Sequence, residues 1–377
     1  MLKFLNFLRK RYESLNKIEI FRDNLLHNYR YLISLAKKVK VAPVVKSNGY
    51  GHGITNVAKI LDSQRPPFFC VDSLFEAYQL QKANIQTKIL ILGYTNPENF
   101  KVKKLPFEFT IFDLETAKIL NEFQPNSSVH IFVDTGMHRE GITIEELPEF
   151  LNQLKQLPNI KIGGLMSHLA SSESRKDPIF LKQIKEFKKA KEICKKAKVT
   201  PEWFHIAATG SIINPQTRPL VLGISNLVRA GLALYGYSSS TTDKNLKPTL
   251  RLTSKIFQIK KVLKGEKLGY EGTYIAKKDM LTGVVPVGYY DGVDRRLSNK
   301  GIFLVDKVPC QILGRVSMNI NIIDLSQVQS PKVGREVTVY SDNPQDKNSL
   351  GNSAKICKTI LYDLLVNLAE TTKRIIV

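Results

Sequence analysis

Cysteine is scarce in this chain and scattered: the 377 residues hold four, Cys70, Cys194, Cys310 and Cys357. They lie far apart with no C-x-x-C pair, which argues against a zinc site or a disulfide framework. The spacing fits reduced thiols in a cytosolic protein, each a small core residue rather than a nucleophile. Long apolar runs are also missing, since no stretch approaches the roughly 20 residues of a membrane-spanning helix. The opening MLKFLNFLRKRYESLN is basic and amphipathic, but polar residues interrupt it too early for a signal peptide, and it lacks a small-residue cleavage site. It reads as a short helical extension, with a cytoplasmic location expected by default. Acidic residues are in deficit, 34 against 56 basic ones, for a formal charge of +22. Such a balance raises nucleic acid or an anionic membrane surface as partners. The basic residues are spread along the chain, however, with no zinc-finger spacing, RNP-type aromatic motif or glycine-arginine tract. A solvated basic surface is the expectation, with no nucleic-acid partner and no integral membrane association.

What is present is ordinary globular material, 43% hydrophobic and 24% charged, long enough for two cores. From about residue 40 to 236, short β-rich runs alternate with amphipathic helical stretches. The strand candidates are Ala42–Lys46, Phe68–Asp72, Lys88–Leu92, Phe109–Phe112, Val129–Val133, Ile162–Ser167, Glu202–Ala207 and Ser225–Arg229. The helical stretches include Leu74–Lys82, Leu114–Phe123, Glu145–Leu157 and Pro178–Ala197. Eight strand-then-helix units over this length match a (β/α)8 TIM-like barrel; a doubly wound sheet is the alternative that strand counting leaves open. After a polar linker, Ser238–Asp243, the pattern becomes that of a mostly antiparallel β domain closed by a C-terminal helix, Asn352 to Leu368. The expected division is an N-terminal extension over 1–16, a barrel domain over 17–240 and a β domain over 241–377.

Barrel enzymes carry their chemistry at the C-terminal ends of the strands, and polar residues fall there in this chain. The run Val41-Ala42-Pro43-Val44-Val45 delivers Lys46 into the turn Ser-Asn-Gly-Tyr50-Gly-His-Gly53. A lysine at such a strand end either finds a partner or loses its charge, and one use of it is a Schiff base with a carbonyl cofactor. Asp134-Thr-Gly-Met-His-Arg139 follows strand five, His168 ends strand six, Thr209-Gly-Ser follows strand seven, and Arg229 ends strand eight before Ala230-Gly231-Leu232. Singly, each has a plain structural explanation: a salt-bridged lysine, a turn aspartate, a core histidine, a rim arginine. Their shared position at one end of a barrel favours function.

The string Val45-Lys-Ser-Asn-Gly-Tyr-Gly-His-Gly53 resembles the cofactor-lysine motif of the alanine racemases, and the resemblance extends from about Asn16 to the C-terminal helix. It implies a barrel plus a β domain and pyridoxal 5'-phosphate on Lys46. By position, Tyr50, Thr209, Gly231, Leu232 and Tyr362 resemble the phosphate-holding residues, Arg229 the arginine facing the pyridine nitrogen, and His168 the residue stacked beside the ring. Arg139 matches the residue near the cofactor phenolate and the substrate carboxylate. An arginine can only donate, so the ring nitrogen stays unprotonated, which favours racemisation over transamination. Racemisation needs acid/base groups on both faces of the α-carbon. The resemblance implies Lys46 for one and Tyr270, in Leu-Gly-Tyr-Glu-Gly-Thr-Tyr274, for the other. In the family this tyrosine enters from the partner subunit, so an obligatory homodimer is implied. Tyr289, in Val287-Gly-Tyr-Tyr-Asp-Gly292, and Met318, in Gly314-Arg-Val-Ser-Met-Asn319, resemble substrate-side elements.

Three departures stand out. Phe132 occupies the position of a lysine that orients the motif arginine, Ala208 replaces an asparagine near the ring, and Asn319 replaces an aspartate. The expected function is alanine racemisation supplying D-alanine for peptidoglycan, on a small amino-acid substrate and without metal. A serine or broad-specificity racemase of the same fold is the near alternative. A non-catalytic pyridoxal-phosphate carrier, which lacks a β domain, and a basic nucleic-acid-binding protein are more remote.

Overall fold

The computed structural model describes residues 13–238 and 243–377. The expected N-terminal extension therefore lies mostly outside the described residues, as do positions 239–242 of the expected linker. The chain divides into two compact units: Arg22–Pro248, and the segment up to Phe21 together with Thr249–Val377. The sequence-based boundaries at 16/17 and 240/241 differ from these at both ends.

In the first unit, eight parallel strand positions close into a ring. They are Lys40–Pro43, Phe69–Val71, Ile89–Ile91, Glu108–Ile111, Ser127–Phe132, Ile160–Met166, Trp203–His205 continued by Ala207–Ala208, and Leu227–Ala230. The second to seventh pair in order. The eighth pairs with both Ala207–Ala208 and the first, and a Val44–Cys70 bridge joins the first to the second. Closure explains the sequence texture: strands covered on both faces read as continuous apolar runs rather than alternating ones. Inside the ring Ala42, Val44, Phe68, Cys70, Leu90 and Leu227 form one buried cluster. Ser73 and Asp113 accept the amides of Glu76 and Thr116 and so start the helices Leu74–Lys82 and Leu114–Phe123.

The other unit holds a six-stranded, a three-stranded and a two-stranded sheet. The β-rich run 250–263 forms two strands, Leu250–Lys255 and Gln258–Val262. These belong to different sheets, because Ile256 and Phe257 turn the chain to hydrogen bond with Arg335 and Val284. The expected C-terminal helix is also split, into Leu350–Cys357 and Leu361–Val366, by Lys358 in the left-handed conformation. One strand was not foreseen as a member of this unit. Lys17–Ile20 pairs antiparallel with Leu250–Lys255 and parallel with Lys373–Ile376, so residues 17–21 leave the barrel to which the sequence assigned them.

Candidate active site

Lys46 stands just past the first barrel strand, its neighbour Val45 anchored by a hydrogen bond from its amide to Cys70 O. Its Nζ lies 2.8 Å from Asp72 Oδ1, on the same rim after the second strand. The chain then makes a left-handed turn: Ser47, Asn48, Gly49, Tyr50 and Gly51 all have φ between 51° and 79°. For each non-glycine residue this costs about 1–2 kcal/mol, so local bonds must hold it. Asn48 supplies two, its amide donating to Glu76 Oε1 at 3.2 Å and its Oδ1 accepting from Ile54 N at 3.0 Å. The turn folds Tyr50 back onto the barrel, where its ring lies 4.9 Å from that of Tyr235. Fully buried His52 packs 4.6 Å from the same ring, and Tyr235 Oη donates to Val44 O at 3.0 Å.

Tyr50 closes a small set of hydroxyl and amide groups. A Cβ on Gly231 would lie 2.8 Å from Tyr50 Oη and 3.9 Å from Thr209 Oγ1, and one on Gly210 would lie 2.5 Å from Ser172 Oγ. Gly231 N donates to Thr209 Oγ1 at 2.9 Å, and Leu232 begins a 3-10 turn. A cradle that side chains would fill, edged by hydroxyls and backbone amides, has the donor chemistry that suits a phosphate. Arg229, almost fully buried, points its guanidinium across the barrel mouth. Nη1 donates to His205 O and Nδ1, at 2.7 and 2.6 Å, and Nη2 to Ser167 O at 2.6 Å. Burial lowers its pKa to about 10, so it stays protonated at neutral pH. His168 lies 3.4 Å from Nη2, and burial, reinforced by the Arg229 charge, pulls its pKa down to about 3. It is a neutral ring at working pH.

The remaining barrel residue of the expected set lines one pocket with Phe132, Ser167 and His168 but is paired with its own neighbour. Arg139 Nη2 donates to Glu140 Oε1 at 2.7 Å, and its side chain is 53% exposed. Phe132 is buried and touches the glycine of the same loop, since a Cβ on Gly141 would lie 2.9 Å from its ring. An apolar ring offers the guanidinium no charge, so Arg139 takes the carboxylate beside it. Asp134 shapes this loop by accepting from the amides of Gly136, Met137 and His138.

On the β unit, Tyr270 opens a short turn between Gly269 and Glu271, both at positive φ, and its side chain is largely exposed. Glu271 is ion-paired with Arg315, and Gly269 lies so close to Gly314 and Arg315 that a Cβ would meet them at 3.3 Å. Tyr289 and Tyr290 donate their amides to Ser317 O and Met318 O, at 3.0 and 2.9 Å. Gly288 is required there, since its Cβ would sit 2.2 Å from Ser317 O. Segments 269–271, 288–290 and 314–318 are thus brought together on one unit, although they are far apart in sequence. Tyr362 lies on the helix Leu361–Val366, half-buried, with its phenol pKa raised by burial. Sequence reasoning missed Asp72, Ser172 and His205. The first ends a predicted strand at the same rim as Lys46, and the last is a polar residue inside an apolar strand, so both left a signal.

Residues 20–239 match the alanine racemase N-terminal domain and residues 249–376 the alanine racemase C-terminal domain. The alanine racemase of Borreliella burgdorferi (strain ZS7) is 34% identical over 363 residues, 93% of this chain and 94% of that protein. Alanine racemase 2 of Caldanaerobacter subterraneus subsp. tengcongensis is 32% identical over 370 residues, 95% of this chain and 94% of the relative. Among solved structures, alanine racemase from Clostridium difficile 630 superposes with a TM-score of 0.89 at 27% identity, over 97% of both chains. The Bacillus anthracis alanine racemase with bound L-Ala-P gives 0.86 at 29%, over 97% of this chain and 96% of that one. With both domains matched in order and the lysine turn, hydroxyl cradle and buried arginine at the barrel mouth, the chain belongs to the alanine racemase family.

Proposed function

We propose that this chain is a pyridoxal-phosphate-dependent alanine racemase that interconverts L- and D-alanine by a two-base mechanism, in the cytoplasm, supplying D-alanine for peptidoglycan. The observation that supports it most is the Lys46 turn, strained and held in place beside a cradle of Tyr50, Thr209 and Gly231. When bound, the cofactor would withdraw electrons from the substrate's α-carbon and so acidify its hydrogen.

The chain's own residues divide the remaining work. Tyr50, Thr209 and the Leu232 amide hold the phosphate end. Gly231 leaves room for it and orients Thr209 through its own amide, and Tyr362 is assigned to the same end by its position in the family. Arg229, always a donor, holds the pyridine nitrogen unprotonated. This limits delocalisation, so the α-carbon must be reprotonated quickly by a placed acid, which favours racemisation over transamination. Neutral His168 covers one ring face without adding charge. Lys46 Nζ moves the proton on the D face and Tyr270 Oη the proton on the L face. Arg139 and the Met318 amide receive the substrate carboxylate, and Tyr289 narrows the entrance. Tyr270 serves the site of the partner subunit in a homodimer.

Ser317-Met318-Asn319, without an acidic residue, supports a second reading as a serine or broad-specificity racemase. An absorbance spectrum of the purified protein followed by a chiral product assay on a panel of L-amino acids tests both. A colourless protein without racemase activity overturns the function, and lysine or arginine turned over as fast as alanine promotes the second reading.

A further inference from the structure

A chain of buried hydrogen bonds leads from Arg229 down the barrel interior. His205 Nε2 lies 2.7 Å from His130 Nδ1, and His130 Nε2 lies 2.9 Å from Glu108 Oε2. Both imidazoles are fully buried, while the Glu108 side chain is 12% exposed. Glu108 begins the fourth barrel strand and Lys46 follows the end of the first. Because the strands are parallel, the carboxylate sits at the pole opposite the site. There it borders a cavity of about 310 Å³ lined also by Lys40, Arg65, Lys88, Glu202 and Trp203.

We propose that Glu108 is the counter-ion of Arg229 and its positioning residue, acting at a distance through His205 and His130. Among the described residues no carboxylate lies within salt-bridge distance of the Arg229 guanidinium, whose partners are two carbonyls and two imidazole nitrogens. A buried cation without a counter-charge is costly. The chemistry of the two ends dictates every proton between them. Arginine only donates, so His205 Nδ1 is the acceptor and its proton lies on Nε2. That proton is donated to His130 Nδ1, which places the second histidine's proton on Nε2 as well. The last bond ends on a carboxylate, which only accepts. All three bonds point the same way, from cation to anion, and each strengthens the next. In the reversed pair of tautomers, His205 would present an N–H to Arg229, donor against donor. Desolvation opposes ionisation of Glu108, but the bonds it accepts from His130 and Ser128 and the Lys88 ammonium 3.5 Å away hold its pKa below the usual carboxylate value.

The inference rests on the racemase reading only in its kinetic arm, so the two can fail separately. In the cofactor-free full-length chain, labelled with 15N-histidine, His130 and His205 should both be neutral with the proton on Nε2 at pH 7. Glu108→Gln keeps the size but removes the charge. Arg229 still fixes both tautomers, so these should persist while the His130 Hε2 proton moves upfield as its bond to the former carboxylate weakens. In the holoenzyme the same variant should lose about tenfold or more in kcat with KM little changed, as when an orienting carboxylate is lost. An Nδ1–H or doubly protonated ring in the wild-type chain overturns the proposal, and this reading does not depend on any variant folding. So does a folded Glu108→Gln chain whose His130 Hε2 proton does not move. Unchanged kcat with the His130 Hε2 proton shifted overturns the positioning role. Absent racemase activity with the expected tautomers defeats the racemase reading and leaves the counter-ion assignment standing.

Discussion

Lys46 Nζ donates to Asp72 Oδ1 at 2.8 Å, lysine and acceptor standing after adjacent strands on one rim of the barrel. The contact keeps the amine at the mouth of the ring, where its assigned partner would meet it. Purified protein should be yellow, and borohydride reduction followed by mass mapping should place the cofactor adduct on Lys46. Lys46→Ala should lose the colour and the racemisation. An adduct on any other lysine would refute the assignment.

Tyr270 offers its phenol from a turn braced by Glu271 and Arg315. Tyr270→Phe keeps the ring and removes the titratable group. Racemisation should fall by about 100-fold or more, in line with removal of a placed acid/base, while cofactor affinity changes little. Mixing this variant with Lys46→Ala chains should restore activity, since a mixed dimer holds one site with both bases. Failure to complement after proven subunit exchange would place Tyr270 in its own chain's site or outside catalysis.

Gly231→Ala tests the cradle directly. Its Cβ would press on Tyr50 Oη at 2.8 Å, so the phenol must move out of the phosphate's reach. Cofactor affinity should drop by at least about tenfold, roughly one charge-assisted hydrogen bond, as read by fluorescence titration. The fold should persist by circular dichroism.

Two buried neutral histidines predict acid lability. Burial holds His168 at about 3 and His205 well below 6.5, the ordinary value. In the unfolded chain both would take up a proton as pH falls through about 6.5, whereas in the folded chain they resist it. Stability is therefore greatest above about 6.5 and declines as pH falls from there toward the folded values. The expected slope is about 1.4 kcal/mol per pH unit for each histidine. Urea unfolding between pH 7.5 and pH 5, roughly the window that brackets the ordinary histidine value, should show this loss. His168→Asn should reduce the slope by one histidine's share. A slope unchanged in that variant would remove His168 from the account.

Substrate order follows from size and polarity. Tyr289, backed by the amide contact to Ser317, presents a bulky ring on the β unit. Alanine should be turned over fastest and lysine or arginine hardly at all. Serine should be a weaker substrate, because an apolar pocket rejects an added hydroxyl by only about 100-fold at best. A chiral assay across the four amino acids checks the order.

The sequence by itself determined the strand-then-helix units and the strand ends at which the polar residues stand, while closure of those strands into a ring rests on the tertiary pairings. Buried parallel strands leave short apolar runs at a regular spacing, and Lys46, His168, Thr209 and Arg229 each follow or end such a run, so both the elements and the rim could be read locally. Glycines at 49, 51 and 53 announced a tight turn, but its left-handed sense depended on Asn48 finding Glu76 and Ile54. Only the tertiary structure decided the pairings of distant segments. Lys17–Ile20 joins the β unit because its partners lie at 250–255 and 373–376, and no local pattern reports a partner more than 200 residues away. The same holds for Arg229. Its charge and rim position were legible in the chain, whereas the path through His205 and His130 to Glu108 exists only because ring closure brings the fourth, fifth, seventh and eighth strands around one interior.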